Sequence, residues 1–366
     1  MEAKIKSSHH SGICCAEGYK SVFHSLRCVW CYSSLASPSH EKLESIPFLG
    51  EGTYGKVAKC LEMSTQKHVA IKIVKKDFED AGEDEIKALI ELSKIDADKY
   101  NLVKFVEWFH HNNHVCIVFD MLDQSLYDYL EKRGFRPLSL RTIRCLAWQL
   151  LVALSGLKKI NMVHFDIKPD NIMLVDQNAE PLRLKLIDFG LAEKVEDLEM
   201  GIRIQNICFR APEVMLGLPL DERLDMWTVG YVLGMLYAGF YFYPQDSEYN
   251  IIRALKVDDF DFWSFDELKG LYSEKNEAQK VEEFMDLLKR MLEVDPNKRI
   301  SPDEALQHPL FKLGKKRPQT PKEPWANIFC PLFKTYGARL ALLDGQLFLL
   351  RVTRASPWSL NFRNDL

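Results

Sequence analysis

The stretch FLGEGTYGKVAKCLEM (Phe48–Met63), with KHVAIKIV (Lys67–Val74) close behind it, decides the fold. Its G-x-G-x-x-G at Gly50, Gly52 and Gly55 is ambiguous alone, because dinucleotide-binding folds spell a phosphate loop the same way. In those folds the loop opens a helix. Here Lys56-Val57-Ala58 continues as strand-like sequence, and no acidic residue follows in a βαβ setting. β-Branched runs parted by glycines and polar turns read instead as an antiparallel sheet with hairpins. A glycine loop between two strands works as a lid whose backbone amides cover a triphosphate. Glycine is needed there because a side chain would hold the backbone away from the phosphate oxygens.

The next strand carries Val69-Ala70-Ile71-Lys72, which places Lys72 on the phosphate side. A lysine so placed needs an acidic partner to hold its stem. GEDEIKALIELSKI has apolar residues at helical spacing, Ile86, Leu89 and Ile90, and reads as one helix. Glu85 shares the inward face of positions 89 and 92 and is the expected partner, with Asp84 the alternative. HVCIVFDML then reads as a buried strand running into a connector. From Ser125 the period changes: LYDYLEKRG, SLRTIRCLAWQLLVALSGLKKIN, LDMWTVGYVLGMLYAG and VEEFMDLLKRMLEVD are all helical.

These elements predict an α+β chain of two lobes. The first is a small antiparallel-sheet lobe with one main helix, over about 44–119; residues 120–123 join it to a larger, mainly helical lobe at 124–313. Residues 1–43, rich in Ser, His and Cys without a period, read as a poorly ordered leader. Residues 314–366 open on the charged, proline-rich GKKRPQTPKEP and continue into ARLALLDGQLFLLRV, which fits a helix or a strand.

Chemistry concentrates in His164-Phe165-Asp166-Ile167-Lys168-Pro169-Asp170-Asn171. Asp166 can take the proton of an attacking hydroxyl. Lys168 can balance charge on a transferred phosphoryl group. Asn171 offers a neutral oxygen to a second magnesium ion. The strand-like LRLKLI delivers Asp188-Phe189-Gly190, and Asp188 suits a phosphate-bridging Mg2+.

The ordered set G-x-G-x-x-G, VAIK, H-x-D-x-K-x-x-N, DFG and APE (Ala211-Pro212-Glu213) resembles the eukaryotic protein kinases from about Ile46 to Phe311. The resemblance implies the bilobal kinase fold and transfer of the ATP γ-phosphate to a protein hydroxyl, with Lys168 similar to serine/threonine-specific members. Implied nucleotide contacts are Gly50, Glu51, Gly52, Thr53, Tyr54, Gly55, Val57, Ala70, Lys72, Glu85, Phe119, Asp120 and Leu122. Implied magnesium ligands are Asn171 and Asp188. Asp225 resembles the buried aspartate that holds the catalytic-loop backbone, and Arg299 the arginine that pairs the APE glutamate, Glu213. Arg210 directly before APE, and LGLP after it, resemble the CMGC group. VFDMLDQSLYDYL, DIKPDNIMLVD and FMDLLKRMLEVDPNKRI resemble the homeodomain-interacting protein kinases, with Phe119 as a bulky residue behind the adenine.

Departures from the pattern are informative. The activating tyrosine of that subfamily aligns with Arg203, and the segment Asp188–Glu213 contains no Ser, Thr or Tyr. Phe165 stands where an arginine would receive a phosphate. Signal and receiver are absent together. The expectation is a working loop without phosphate control, its segment fixed by Arg203 or Arg210 against Glu193, Glu196, Asp197 or Glu199. Asn206 replaces a Ser/Thr that bonds the catalytic aspartate and lysine, and Ile207 replaces an arginine beside the substrate-proline pocket. The rival to an active kinase is a kinase fold that binds ATP or a partner as a scaffold.

Composition sets outer bounds. With 47% hydrophobic and 27% charged residues and a net charge of −4, the chain advertises neither nucleic-acid nor membrane binding. Nine cysteines without even spacing argue against a disulfide framework, and the lone Cys28-x-x-Cys31 lacks a second pair for zinc. Protein substrates are the expected partners, transcription regulators among them by the resemblance. Nucleus and cytoplasm are the expected locations, with LGKKRP at Lys315–Arg317 either a nuclear address or a solvated linker.

Overall fold

Glycine and polar turns cut the first part of the chain into strands short enough to fold back on one another. The structure, a computed structural model, describes residues 48–62, 65–201, 204–241, 247–256, 278–312, 338–343 and 346–351. Strands β1 (Phe48–Glu51), β2 (Gly55–Glu62), β3 (Lys67–Val74), β4 (Phe105–His111) and β5 (His114–Asp120) form an antiparallel sheet in the order β1-β2-β3-β5-β4. Val57 faces Lys72, and Ala70 faces Phe119 across the ladder. Side chains alternate along a strand, so these four share one face. Ala58, Cys60, Val69, Ile71, Cys116 and Val118 point the other way and form a small hydrophobic cluster of their own.

Helix α1 (Glu79–Leu92) buries Gly82, Glu85, Ile86, Ala88, Leu89 and Leu92. Ile90 lies past the edge of that stripe and is 44% exposed. Asp120 is the last residue of β5, and residues 121–123 connect without regular structure to β6 (Gln124–Ser125). Asp123 N–H donates to Leu174 O at 3.0 Å, fastening this connector to the larger lobe.

The larger lobe is helical because its apolar residues recur at helical spacing behind good caps. Ser125 forms a capping box with Asp128 at the start of α2 (Leu126–Lys132), and Ser139 caps α3 (Leu140–Lys159). By length and composition α3 is apolar enough to cross a membrane. Here it is the core helix, with Ile143, Leu146, Ala147, Leu151 and Ala153 fully buried. Strand β7 (Met162–Val163) leads into the catalytic loop, and the hairpin of β8 (Ile172–Asp176) and β9 (Glu180–Leu186) leads out of it. Strand β10 (Glu193–Lys194) pairs back onto β7. Helices α4 (Pro212–Met215), α5 (Arg223–Ala238), α6 (Glu248–Lys256), α7 (Ala278–Met291) and α8 (Pro302–Leu306) follow. Nearly all of α5 is buried, and Gly239 ends it at φ 82°, a conformation glycine adopts without strain.

The described residues up to Lys312 form one compact unit. In a second unit, the described parts of ARLALLDGQLFLLRV pair antiparallel as strands β11 (Ala338–Leu343) and β12 (Gln346–Arg351), which decides the helix-or-strand alternative for them. The leader at 1–43, its cysteines, and the basic run at Lys315–Arg317 lie outside the described residues.

Candidate active site

Because α1 buries the stripe that carries Glu85, its carboxylate reaches the sheet. Lys72 Nζ lies 2.8 Å from Glu85 Oε2 and 2.8 Å from Asp188 Oδ1. Asp84, the alternative partner, pairs with Lys87 on the exposed side of the helix. Burial draws the Lys72 ammonium down, but the charges of Glu85 and Asp188 outweigh it and hold the group above its ordinary range. Burial pushes the Glu85 carboxyl up against the attraction of Lys72, and the Asp188 charge adds to that rise. Burial also works to raise Asp188, yet the charge and hydrogen bond of Lys72 hold it below the usual carboxylate range. One ammonium facing two carboxylates leaves a spare negative charge when all three are ionised.

The glycine loop is closed on itself, with Gly52 N–H donating to Gly55 O at 2.8 Å. Its glycines serve different needs. A Cβ on Gly55 would sit 2.5 Å from Ile73 O, so this residue is dictated by strand contact. At Gly50 and Gly52 nothing lies within 4 Å, so their bare backbone faces open space. Lys75 Nζ donates to Gly52 O at 3.0 Å and pairs with Glu51, and Tyr54 packs edge-on against Phe78. Thr53 lies exposed between them. Phe119 stands edge-on to Phe105 at the end of the Val57–Ala70–Lys72 face, and Leu122 is buried beyond it.

The second group forms on the turn after β7. Lys168 Nζ donates to Asp166 Oδ2 at 2.7 Å, and Asn171 Nδ2 donates to the same oxygen at 2.9 Å and to Asp166 O at 2.8 Å. Both donors use Oδ2, so Oδ1 meets none among the described residues. His164 stitches the two groups together. Its Nδ1 accepts from Asp166 N–H, so Nε2 carries the proton and donates to Ile187 O at 2.9 Å. Complete burial pushes its pKa down and keeps the ring neutral. Ile187 N–H returns to Asn171 O at 2.9 Å, and the Phe189 ring stands 4.8 Å from the imidazole.

Phe165 sits at φ 67° with its ring 1% exposed in the main core. A left-handed backbone costs a non-glycine residue on the order of 1 kcal/mol. Buried Asp225 holds it there, accepting from His164 N–H at 2.7 Å and Phe165 N–H at 3.1 Å. Desolvation pushes the Asp225 pKa up to about 7 against those two hydrogen bonds. A carboxyl raised above its value of 3.8 contributes stability that is present below 3.8 and lost as pH rises towards about 7. Urea unfolding is therefore expected to show the parent losing stability, relative to Asp225→Asn, by roughly a few kcal/mol across that window. Parallel pH curves for the two proteins would remove Asp225 as the source.

In the segment after Asp188, Arg210 donates from Nε to Ile204 O at 2.9 Å and from Nη2 to Gln205 O at 2.6 Å. Its acidic partner is Glu248 at the start of α6, which corrects the expectation of an acid from within the segment. Glu248 stands at a helix N-terminus, where a carboxylate is favoured. Arg203 lies outside the described residues. Asn206 Oδ1 accepts from Cys208 N–H at 3.1 Å and caps the Ile207–Phe209 turn, and among the described residues Asn206 makes no hydrogen bond to Asp166 or Lys168. At the segment's end Arg299 makes a bidentate pair with Glu213 at 2.6 and 2.8 Å, the two side chains 0% and 1% exposed.

The family described as "Protein kinase domain" matches residues 43–311. The chain belongs to the protein kinase family. Among similar proteins, homeodomain-interacting protein kinase 2 of Mesocricetus auratus is 36% identical over 74% of this chain and 28% of that protein. Homeodomain-interacting protein kinase 1 of Mus musculus is 44% identical over 65% of this chain and 19% of that protein. Homeodomain-interacting protein kinase 4 of Homo sapiens is 39% identical over 57% of this chain and 35% of that protein. The chain thus spans about a third or less of the length of these relatives.

Protein kinases use ATP with magnesium, and the residues present fit both. Asn171 Oδ1 receives no hydrogen bond from the described residues, and the low-pKa Asp188 offers a charged, partly exposed carboxylate. Both are hard oxygen donors. Among the described residues no three His, Cys, Asp or Glu side chains make a ready cage. A sparse donor set suits an ion that keeps its waters and leans on substrate phosphates.

Proposed function

We propose that this chain is a protein serine/threonine kinase that transfers the γ-phosphate of ATP to a protein hydroxyl. The observation that carries this is the linkage of two groups, Lys72–Glu85–Asp188 and Asp166–Lys168–Asn171, through neutral His164 and the Ile187 backbone. The hydroxyl oxygen bonds to the γ-phosphorus, the bond from that phosphorus to the β–γ bridging oxygen breaks, and ADP leaves. Asp166 Oδ1 takes the hydroxyl proton. Lys168 offsets charge on the moving phosphoryl group, Lys72 holds the α- and β-phosphates, and Glu85 fixes Lys72. Asn171 and Asp188 hold magnesium, which neutralises phosphate charge when bound. The Val57–Ala70–Phe119 face, with Asp120 and Leu122, takes the adenine, and Gly50–Gly55 covers the phosphates.

Control by phosphorylation within Asp188–Glu213 is excluded from this proposal, since the segment has no hydroxyl side chain. Arg210 and Glu248 supply a charge contact that a phosphate would otherwise make. By analogy with the relatives' printed names, transcription regulators are proposed as substrates, and the nucleus or cytoplasm as the place of action. A second reading, a scaffold that holds nucleotide with little transfer, draws on Asn206, whose Oδ1 accepts from Cys208 N–H and which bonds neither Asp166 nor Lys168 among the described residues. Labelled ATP, Mg2+ and a basic test protein separate the two, beside an Asp188→Asn control. The parent is expected to label the protein and Asp188→Asn to fall to background; equal signal from both would end the enzyme reading.

A further inference from the structure

We infer that Glu91 and Lys194 are a positioning pair that locks α1, and with it Glu85, to the segment following Asp188. The inference rests on the kinase reading and names how that site is kept assembled without phosphate.

Lys194 Nζ lies 2.6 Å from Glu91 Oε2, with both side chains about three-quarters buried. The lysine is a fixed post. Its backbone lies in the β10–β7 pairing opposite Met162, and its Nζ also donates to Ile160 O at 3.2 Å. The next residue, Val195, donates its N–H to Asn161 O at 2.9 Å. The Glu91 end is a lever, because α1 carries the buried Glu85 that holds Lys72. No side chain caps the N-terminus of α1 at Phe78, so packing and ion pairs set where the helix rests. Lys94 also reaches Glu91 at 2.6 Å, but it follows the same helix and joins nothing to the larger lobe. The ammonium groups of Lys194 and then Lys94 hold the Glu91 carboxyl below its ordinary pKa.

Kinases that are switched by phosphate use the added charge to order this segment. Here the two charges are encoded side chains, and nothing between Asp188 and Glu213 can be phosphorylated on a hydroxyl. Removing either charge lets α1 drift outward, so fewer molecules hold Lys72, Glu85 and Asp188 together, and the rate falls with that fraction.

The test uses the full chain. In Lys194→Met and Glu91→Gln, kcat/KM for ATP is expected to fall about tenfold, and amides of residues 79–92 to exchange with deuterium faster. The reciprocal variant Glu91→Lys/Lys194→Glu is expected to recover most of both losses. Lys87→Met, which removes an exposed pair on the same helix, is expected to change neither. Parent-like exchange and turnover in both single variants would overturn the inference, as would a reciprocal variant no better than the single ones. If the parent transfers no more phosphate than Asp188→Asn, the kinase reading fails instead. The exchange measurement, which needs no turnover, then still decides the pair.

Discussion

Asp166→Asn is expected to lower kcat for protein phosphorylation by about a thousandfold while KM for ATP stays within about twofold. Within the Asp166–Lys168–Asn171 group the carboxylate, with Oδ1 left open, is the proton acceptor, and an amide of the same shape cannot take that proton. Asparagine also meets Lys168 and Asn171 with one oxygen where the carboxylate has two, so Oδ2 can stay bonded while the proton acceptor is lost. A thousandfold corresponds to roughly 4 kcal/mol of barrier. In the proposed function Lys72 and the sheet face hold the nucleotide, and the hydrogen bonds of Asp166 go to neither, so binding is expected to be spared. Steady-state kinetics over ATP and protein concentration read the two separately. A loss of less than tenfold in kcat, or a loss confined to KM, would remove Asp166 from the proton-transfer role.

The largest stability effect is expected at Arg299. Its guanidinium bonds both oxygens of Glu213, donates to Glu293 O and Arg223 O, and stacks over the Trp227 ring at 5.3 Å. Arg299→Met strips a fully buried carboxylate of its counter-ion, a change that costs about 3–5 kcal/mol. For a chain this long that lowers Tm by roughly 10 °C. Removing both charges in Arg299→Met/Glu213→Gln is expected to cost less than the single change, because no buried ion is left stranded. Thermal unfolding of the three proteins checks both claims. A double variant that loses the full sum would show the two residues acting independently.

Much of the fold was legible because its punctuation is local. Gly50, Gly52 and Gly55 between β-branched runs announce strand–turn–strand, and Ser125 and Ser139 announce helix starts. The residues for chemistry were legible for a similar reason: Asp166, Lys168 and Asn171 lie within one short turn, so their spacing nearly fixes their geometry. Pairs made at long range were not. Glu91 finds Lys194, and Arg210 finds Glu248, only after lobes and helices have packed, and no periodicity encodes such a meeting. The hairpin at 338–351 did carry a usable signal: Asp344-Gly345 between apolar runs is a two-residue turn preference, and it points to strands.

The segment from Asp188 to Glu213 carries its charges in the gene and not in a modification. On the kinase reading proposed above, that segment offers no side-chain hydroxyl to modify, and its charge pairs stand in every folded copy. Output is then expected to scale with the number of copies present, so that doubling the gene dose doubles the signal.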